Sequence, residues 1–467
     1  MTLRLLHTSD WHLGQHLHQH DRAYEHARFL DWLLDTLVTQ RVDALLIAGD
    51  VFDVTNPSAA SQTLLYRFLT EARRRIPHLT TVMIAGNHDS PGRLEAPAAF
   101  LNLFGAYVVG YIAGGTWAGA ADVENSNKNV DPSLVNKSLS ASLSEANDSP
   151  QRVVIPLADA AGVVRAWCLA VPFLRPADVS RVPAASAATA ASAPVAAEDQ
   201  ATHTAAAHDP PHLQGVRAIY AQLVQRALAM RQPGQALVAM GHCHVLGGQV
   251  SEASERRITL GGAEAWPVDV FDPALAYVAL GHLHLPQSIG KNPTRRYSGS
   301  PLPLSFSEVD YPHQVVLVTL DGEQVTQTEA LSVPRAVPLW RVPAQPQALP
   351  EVLQALAALP DMGHPDDVPE ARPYLQVRVH LTQPEPSLRA HIDAALAHKA
   401  VRLVRIEASQ HRSIATATPT APALSLDDID QLAPSVLFDR LYQHHFQTPP
   451  PTPLRHAFQE LLNTGED

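Results

Sequence analysis

Ala44-Leu45-Leu46-Ile47-Ala48-Gly49-Asp50-Val51-Phe52-Asp53 is an unbroken apolar run, a glycine, and then two carboxylates. A short apolar run closed by a turn signal reads as a strand buried on both faces. The same design returns in Leu3-Arg4-Leu5-Leu6-His7-Thr8-Ser9-Asp10-Trp11-His12 and in Val82-Met83-Ile84-Ala85-Gly86-Asn87-His88-Asp89. It returns again in Leu237-Val238-Ala239-Met240-Gly241-His242 and Tyr277-Val278-Ala279-Leu280-Gly281-His282-Leu283-His284. Only the N-terminal copy lacks the glycine and uses Thr8-Ser9 in its place. Ligands in α/β sheets gather at the carboxyl ends of the strands. Five strand ends carrying hard oxygen donors and imidazoles are therefore expected to converge, and that donor set suits a pair of divalent metals.

Between these strands the apolar residues shift to helical spacing. Arg22 to Leu37 carries Phe29, Leu30, Leu33, Leu34 and Leu37, and Ala59 to Arg75 carries Leu64, Leu65, Phe68 and Leu69. A third helix is predicted over Leu94–Phe104. Alternating strand and helix argues a parallel sheet layered by helices. Two stretches, about 114–150 and 180–212, are poor in bulky apolar residues and read as surface insertions. His203, His208 and His212 in or beside the second read as solvated residues. Strands are expected to resume at Arg165–Val171, with a helix over Gly215–Ala229.

The Pro-rich stretch Val333–Pro350 reads as a boundary. The expected organisation is a catalytic domain over 1–333, a small α+β unit over 334–412, a linker over 413–424 and a helical tail over 425–467. In the small unit, helices are predicted at Glu351–Ala358 and Leu388–Lys399, and strands at Tyr374–Leu381 and Val401–Glu407.

With 467 residues, 46% of them hydrophobic and 17% charged, the chain reads as a soluble multidomain protein. No run approaches the length of a membrane span, so no membrane association is expected. The two cysteines, Cys168 and Cys243, are too few for a disulfide framework and fit a cytoplasmic setting. A formal net charge of −12 by itself points away from nucleic acid. Any polyanionic substrate must be held by metals, a local basic patch or a partner.

The ordered motifs His7-Thr8-Ser9-Asp10-Trp11-His12-Leu13-Gly14, Ala48-Gly49-Asp50-Val51-Phe52-Asp53, Ala85-Gly86-Asn87-His88-Asp89-Ser90 and Ala279-Leu280-Gly281-His282-Leu283-His284 resemble the calcineurin-like metallophosphoesterases. With Tyr297-Ser298-Gly299-Ser300-Pro301-Leu302-Pro303-Leu304-Ser305-Phe306 the chain resembles one branch, the SbcD nuclease subunit and its Mre-type relatives. The resemblance implies a layered β-sandwich flanked by helices, with a small capping domain and a helical tail. It implies two divalent metals, manganese being usual in the branch. One would be held by Asp10, His12, Asp50 and His284, the other by Asp50, Asn87, His242 and His282, with Asp50 bridging. His88 matches the catalytic histidine that protonates the leaving oxygen, with Asp89 expected to orient it and Asp53 to support the site. His244, in Gly241-His242-Cys243-His244, is surplus to that pattern, and Cys243 is too soft a donor for manganese.

The implied activity is a DNA nuclease working with an SMC-like ATPase, as an ATP-dependent double-strand exonuclease and a single-strand or hairpin endonuclease. A small-molecule phosphomonoesterase or cyclic-nucleotide phosphodiesterase would share the metal core but needs neither the small domain nor the tail. A non-catalytic scaffold on the same fold should have lost ligands, and here the set is complete. Family members place the capping domain over duplex DNA, and Arg389, Lys399, Arg402, Arg405 and Arg412 make a local basic excess there. The helices Ser58–Arg75 and Leu94–Phe104 match those through which relatives form a homodimer, the core of a heterotetramer with the ATPase. Leu65, Phe68, Leu69, Leu101 and Phe104 are the expected contacts. In the tail, Leu437, Phe438, Leu441 and Tyr442, and then Leu454, Phe458, Leu461 and Leu462, form two apolar stripes suited to the partner's coiled coil.

Overall fold

The computed structural model describes residues 2–112, 153–179, 209–250, 265–290, 292–363, 368–383, 385–410 and scattered positions between 438 and 458. The expected linker, Arg412 and most of both insertions and of the tail lie outside the described residues.

Two six-stranded sheets stack face to face. In the first, Thr2–Thr8 sits centrally, with Ala44–Ala48, Thr80–Ile84 and Ala106–Val109 parallel on one side. Gln314–Asp321 and Gln324–Ser332 add antiparallel strands on the other side. In the second sheet, Val164–Ala170, Ala236–His242, Tyr277–Gly281 and Asn292–Tyr297 run parallel, with antiparallel edges at Val154–Ala158 and Gln287–Ile289. The period-two alternation of a strand explains the continuous apolar runs. Ala44, Leu46 and Ala48 face the second sheet, while Leu45 and Ile47 face the helices Ala23–Thr39 and Ala59–Arg75. Val82 and Ile84 likewise enter the inter-sheet core, and Met83 and Ala85 the helix-side core.

The helix predicted over Leu94–Phe104 is broken. Pro91–Glu95 and Ala98–Asn102 form separate short helices, with Pro97 between them as the N-cap of the second. Proline removes the N–H that would continue the first helix. Leu65, Phe68, Leu69 and Leu101, expected at a dimer surface, are buried in this chain's own core, whereas Phe100 and Leu103 are 61% and 77% exposed.

The Pro-rich stretch is also more ordered than a linker. Leu339–Gln347 is a strand, pairing in parallel with Tyr374–Leu381 at the edge of a three-stranded sheet completed by Arg402–Gln410. An edge strand tolerates prolines, and the pairing register jumps between Val342 and Gln347, across Pro343 and Pro346. Helices Leu349–Ala357 and Leu388–Leu396 cover this sheet over a core of Val352, Leu356, Leu375, Val377, Val379 and Ile392. A second cluster, Leu17, Phe306, Val337, Leu339 and Tyr374, seats this capping domain on the sandwich within one compact unit of residues 2–409. Residues 410–467 form a second unit.

Candidate metal centre

The loops after Thr2–Thr8, Ala44–Ala48, Thr80–Ile84, Ala236–His242 and Tyr277–Gly281 meet at one end of the sandwich. They approach so closely that glycine is needed for space. A Cβ on Gly86 would stand 2.1 Å from an Asp50 carboxylate oxygen, and one on Gly281 would stand 1.9 Å from the Ala48 carbonyl oxygen. Asp10, His12, Asp50 and His282 all have positive φ, although none is glycine. Side-chain-bearing residues rarely adopt that region, and such strain concentrates where function demands it.

The donor atoms fall into overlapping groups. One atom each from Asp10, His12 and His284 lie within 4.8 Å of one another, as do atoms of Asp10, Asp50 and His242, and of His12, Asp50 and His88. Asp50 belongs to two groups, as do Asp10 and His12. Its Oδ2 is 3.4 Å from Nε2 of His242 and 3.6 Å from Nε2 of His12. Oδ1 of Asn87 lies 3.0 Å from Nε2 of His242. His282 is outside these groups. Its ring packs edge-on to His242 with centroids 5.4 Å apart, and its backbone N–H donates to Asp10 at 3.0 Å. His244 also lies outside them, half-buried, and Cys243 is buried.

Four of the donors are held from behind. Nδ1 of His242 bonds the Ala48 carbonyl at 2.9 Å, and Nδ1 of His284 bonds Oε1 of Glu308 at 2.8 Å. Nδ1 of His12 bonds the Asp53 carboxylate at 3.1 Å. Fixing one ring nitrogen in this way aims the other at a metal. Asp10 accepts from the Ser9 hydroxyl at 2.5 Å, and Ser9 in turn bonds Ser298 at 2.8 Å. Nδ1 of His88 bonds the Asp53 carbonyl at 2.8 Å. Asp53 therefore supports the site twice, by its carboxylate and its main chain.

The role expected of Asp89 needs correction. Nδ1 of His88 is taken by the Asp53 carbonyl, and the bonds of the Asp89 carboxylate run to the main chain. It accepts the backbone N–H groups of Gly86, Phe52 and Val51 at 2.8, 2.9 and 3.1 Å and buckles the loop of Asn87 to the loop of Asp50.

The electrostatics suit a cation. Burial alone would raise the Asp50 carboxyl, but the charges of His242, His12 and His88 and the His242 hydrogen bond hold it well below the usual carboxylate range. Burial opposes protonation of His242, yet Asp50 pushes this imidazole up to about 9. Burial and the neighbouring His242 hold His282 well below the ordinary histidine value. Nε2 of His12 is buried with no hydrogen-bond partner among the described residues. Two buried carboxylates, an orphaned imidazole nitrogen and hard donors together fit divalent metals of the manganese type.

Glu308 and the buried pair Arg22 and Glu25 are not singled out by the sequence. Nothing in one sequence separates them from ordinary polar residues.

Comparison with known proteins gives the same picture. The calcineurin-like phosphoesterase family matches residues 3–148, and the domain family described as type 5 capsule protein repressor C-terminal domain matches residues 335–446. The chain is 38% identical to the SbcD subunit of the nuclease SbcCD from Rhodobacter capsulatus, over 93% of each chain. It is 34% identical to the SbcD of Escherichia coli over 72% of this chain and 70% of that protein. For the SbcD of Bacillus subtilis the figures are 31%, 70% and 69%. On the strength of that near full-length similarity and of the phosphoesterase match, the chain belongs to the SbcD family of calcineurin-like phosphoesterases.

Proposed function

We infer that this chain is the nuclease subunit of an SbcCD-type complex, hydrolysing DNA phosphodiester bonds at the centre described above. The observation that carries this reading is the cluster of Asp10, His12, Asp50, His242 and His284 donors in a chain similar to a nuclease subunit over 93% of its length. Asp10, His12, Asp50 and His284 would hold one metal, and Asp50, Asn87, His242 and His282 the other, manganese being the proposed ion. Bound there, the pair would supply a nucleophilic water at neutral pH and stabilise an in-line displacement. Occupation requires His242 to give up its proton. His88, with Nδ1 pinned to the Asp53 carbonyl, is placed to hand a proton to the departing oxygen.

The small-molecule esterase reading is not favoured, because the capping domain and the tail have no task in it. A direct test is manganese-dependent cleavage of hairpin and blunt duplex DNA, with and without an SMC-like ATPase. Hydrolysis of small phosphate esters with no cleavage of either DNA would overturn the reading.

The capping domain is proposed to touch the duplex, but its basic residues are not equivalent. Lys399 donates to the carbonyls of Ala357 and Leu359 at 2.6 and 2.9 Å and pairs with Asp361, so it closes the end of helix Leu349–Ala357. Arg402 lies 3.9 Å over the Tyr374 ring and bonds the carbonyls of Arg372 and Glu370. Arg389 is paired with Asp393 on its own helix. Arg405 is exposed. Arg405→Ala should weaken duplex binding about threefold to tenfold and reduce its salt dependence by about one phosphate contact. Arg402→Ala should instead lower stability. Unchanged DNA affinity and salt slope in Arg405→Ala would remove this face from the DNA path.

Homodimerisation is proposed through the exposed Phe100 and Leu103 beside Phe104, whose ring lies 4.9 Å from that of Phe100. The ATPase is proposed to dock on the tail. There the Phe438 and Phe458 rings stack at 4.2 Å and Arg455 pairs with Asp439, so the two apolar stripes meet at one point. Removing residues from Leu424 onward should leave a dimer by light scattering, with intact nuclease activity, that no longer co-purifies with the ATPase. Undiminished capture of the ATPase would place the docking surface elsewhere.

A further inference from the structure

Arg22, the N-cap of helix Ala23–Thr39, is fully buried, and so is Glu25 in the first turn of that helix. Nε and Nη2 of Arg22 grip both Glu25 oxygens at 2.7 and 2.6 Å, and Nη1 donates to Gln15 Oε1 and to the Pro303 carbonyl, both at 2.8 Å. A buried ion pair is a poor source of stability, since desolvation offsets most of the attraction. This one is nevertheless fully hydrogen-bonded, and its last bond reaches across 281 residues to a loop that bears on the metal centre.

That loop is gripped at a single peptide group. The carbonyl of the Pro303–Leu304 peptide accepts from Arg22, and its N–H donates to Oε2 of Glu308 at 2.7 Å. The Leu304 carbonyl, in the next peptide group, accepts from Gln15 at 3.2 Å. The other carboxylate oxygen of Glu308 holds Nδ1 of His284 at 2.8 Å. A continuous line of charge-assisted bonds therefore runs from Glu25 through Arg22, one peptide group and Glu308 to the back of His284. Hydrogen bonds in such a line polarise and strengthen one another in a low-dielectric interior. The Tyr374 hydroxyl of the capping domain donates to the carbonyl of Asp21, the residue before Arg22, at 3.4 Å, so the far end of the line lies against the cap.

We propose that Arg22 is a positioning residue for the metal centre, acting through the Pro303–Leu304 peptide and Glu308 to fix His284 for metal binding. The inference rests on the metal-centre reading above, with His284 as a ligand. Its test is manganese titration of the full-length protein by calorimetry, with thermal unfolding as a check on folding. Arg22→Lys keeps the charge but cannot hold both Glu25 oxygens and the Pro303 carbonyl together. Arg22→Met combined with Glu25→Met removes the pair without leaving a lone buried charge.

Both variants, and Glu308→Gln alone, should bind manganese about tenfold to a hundredfold more weakly, as expected when a bond behind a ligand is lost. Because Arg22 acts through Glu308, adding Arg22→Lys to Glu308→Gln should cause little further loss. Wild-type affinity in a folded Arg22→Lys protein would overturn the proposal, as would a full additional loss on the Glu308→Gln background. A wild-type protein that binds no manganese would instead overturn the metal-centre reading itself.

Discussion

Asp50→Ala will lose both metal binding and phosphodiester cleavage, whereas His88→Ala will lose cleavage and keep its metal. Asp50 and Asp10 each belong to two donor groups, but the Asp50 oxygens serve His242, His12 and the His88 backbone N–H together. Without Asp50, His242 and His12 lose the carboxylate that lies between them, and Asp10 is left as the one buried carboxylate among the clustered donors. His88 is also within reach of His12 and Asp50, so proximity alone does not separate ligand from acid. Its ring is nevertheless pinned by a main-chain carbonyl at the half-exposed rim, which suits a proton donor facing substrate. Loss of a general acid should lower kcat by about 10²–10⁴-fold. Metal analysis of the dialysed proteins beside single-turnover cleavage makes the distinction. Equal metal loss in the two variants would make His88 a ligand.

How far the sequence could be read depended on how local each interaction is. The strands were legible because both faces of Ala44–Ala48 and Thr80–Ile84 are buried, which demands an uninterrupted apolar run. The donors were legible because each lies within a few residues of a strand end, where a polar cluster after an apolar run stands out. The supports behind them were not. Glu308 reaches His284 across 24 residues and Arg22 reaches Pro303 across 281, and neither separation leaves a local pattern. The edge strand Leu339–Gln347 is hidden inside a stretch that reads as a boundary, because prolines signal breaks wherever pairing cannot be foreseen. Lys399 and Arg402 show the converse. Charge was visible in the sequence, but the carbonyls that already occupy it were not.

Asp89 carries the sharpest contrast between the two readings. A residue that merely oriented His88 could be replaced with loss of rate alone. The structure instead has its buried carboxylate closing three backbone N–H groups on two loops. Burial and the neighbouring Asp50 charge push this carboxyl up to about 6 against the pull of those N–H groups. Deleting the charge therefore relieves some repulsion while stranding three buried donors. Each stranded donor costs about 1–3 kcal/mol. With that relief and some relaxation, Asp89→Ala should destabilise the metal-free protein by about 3–5 kcal/mol. Asp89→Asn keeps an acceptor but turns an NH2 group toward the donors, so an intermediate loss is expected. His88→Ala, by comparison, removes a half-exposed ring and should unfold close to wild type. Urea unfolding of the three variants without metal provides the measurement. An Asp89→Ala protein as stable as wild type but as slow as His88→Ala would return Asp89 to the catalytic role and leave the loop buckle without a function.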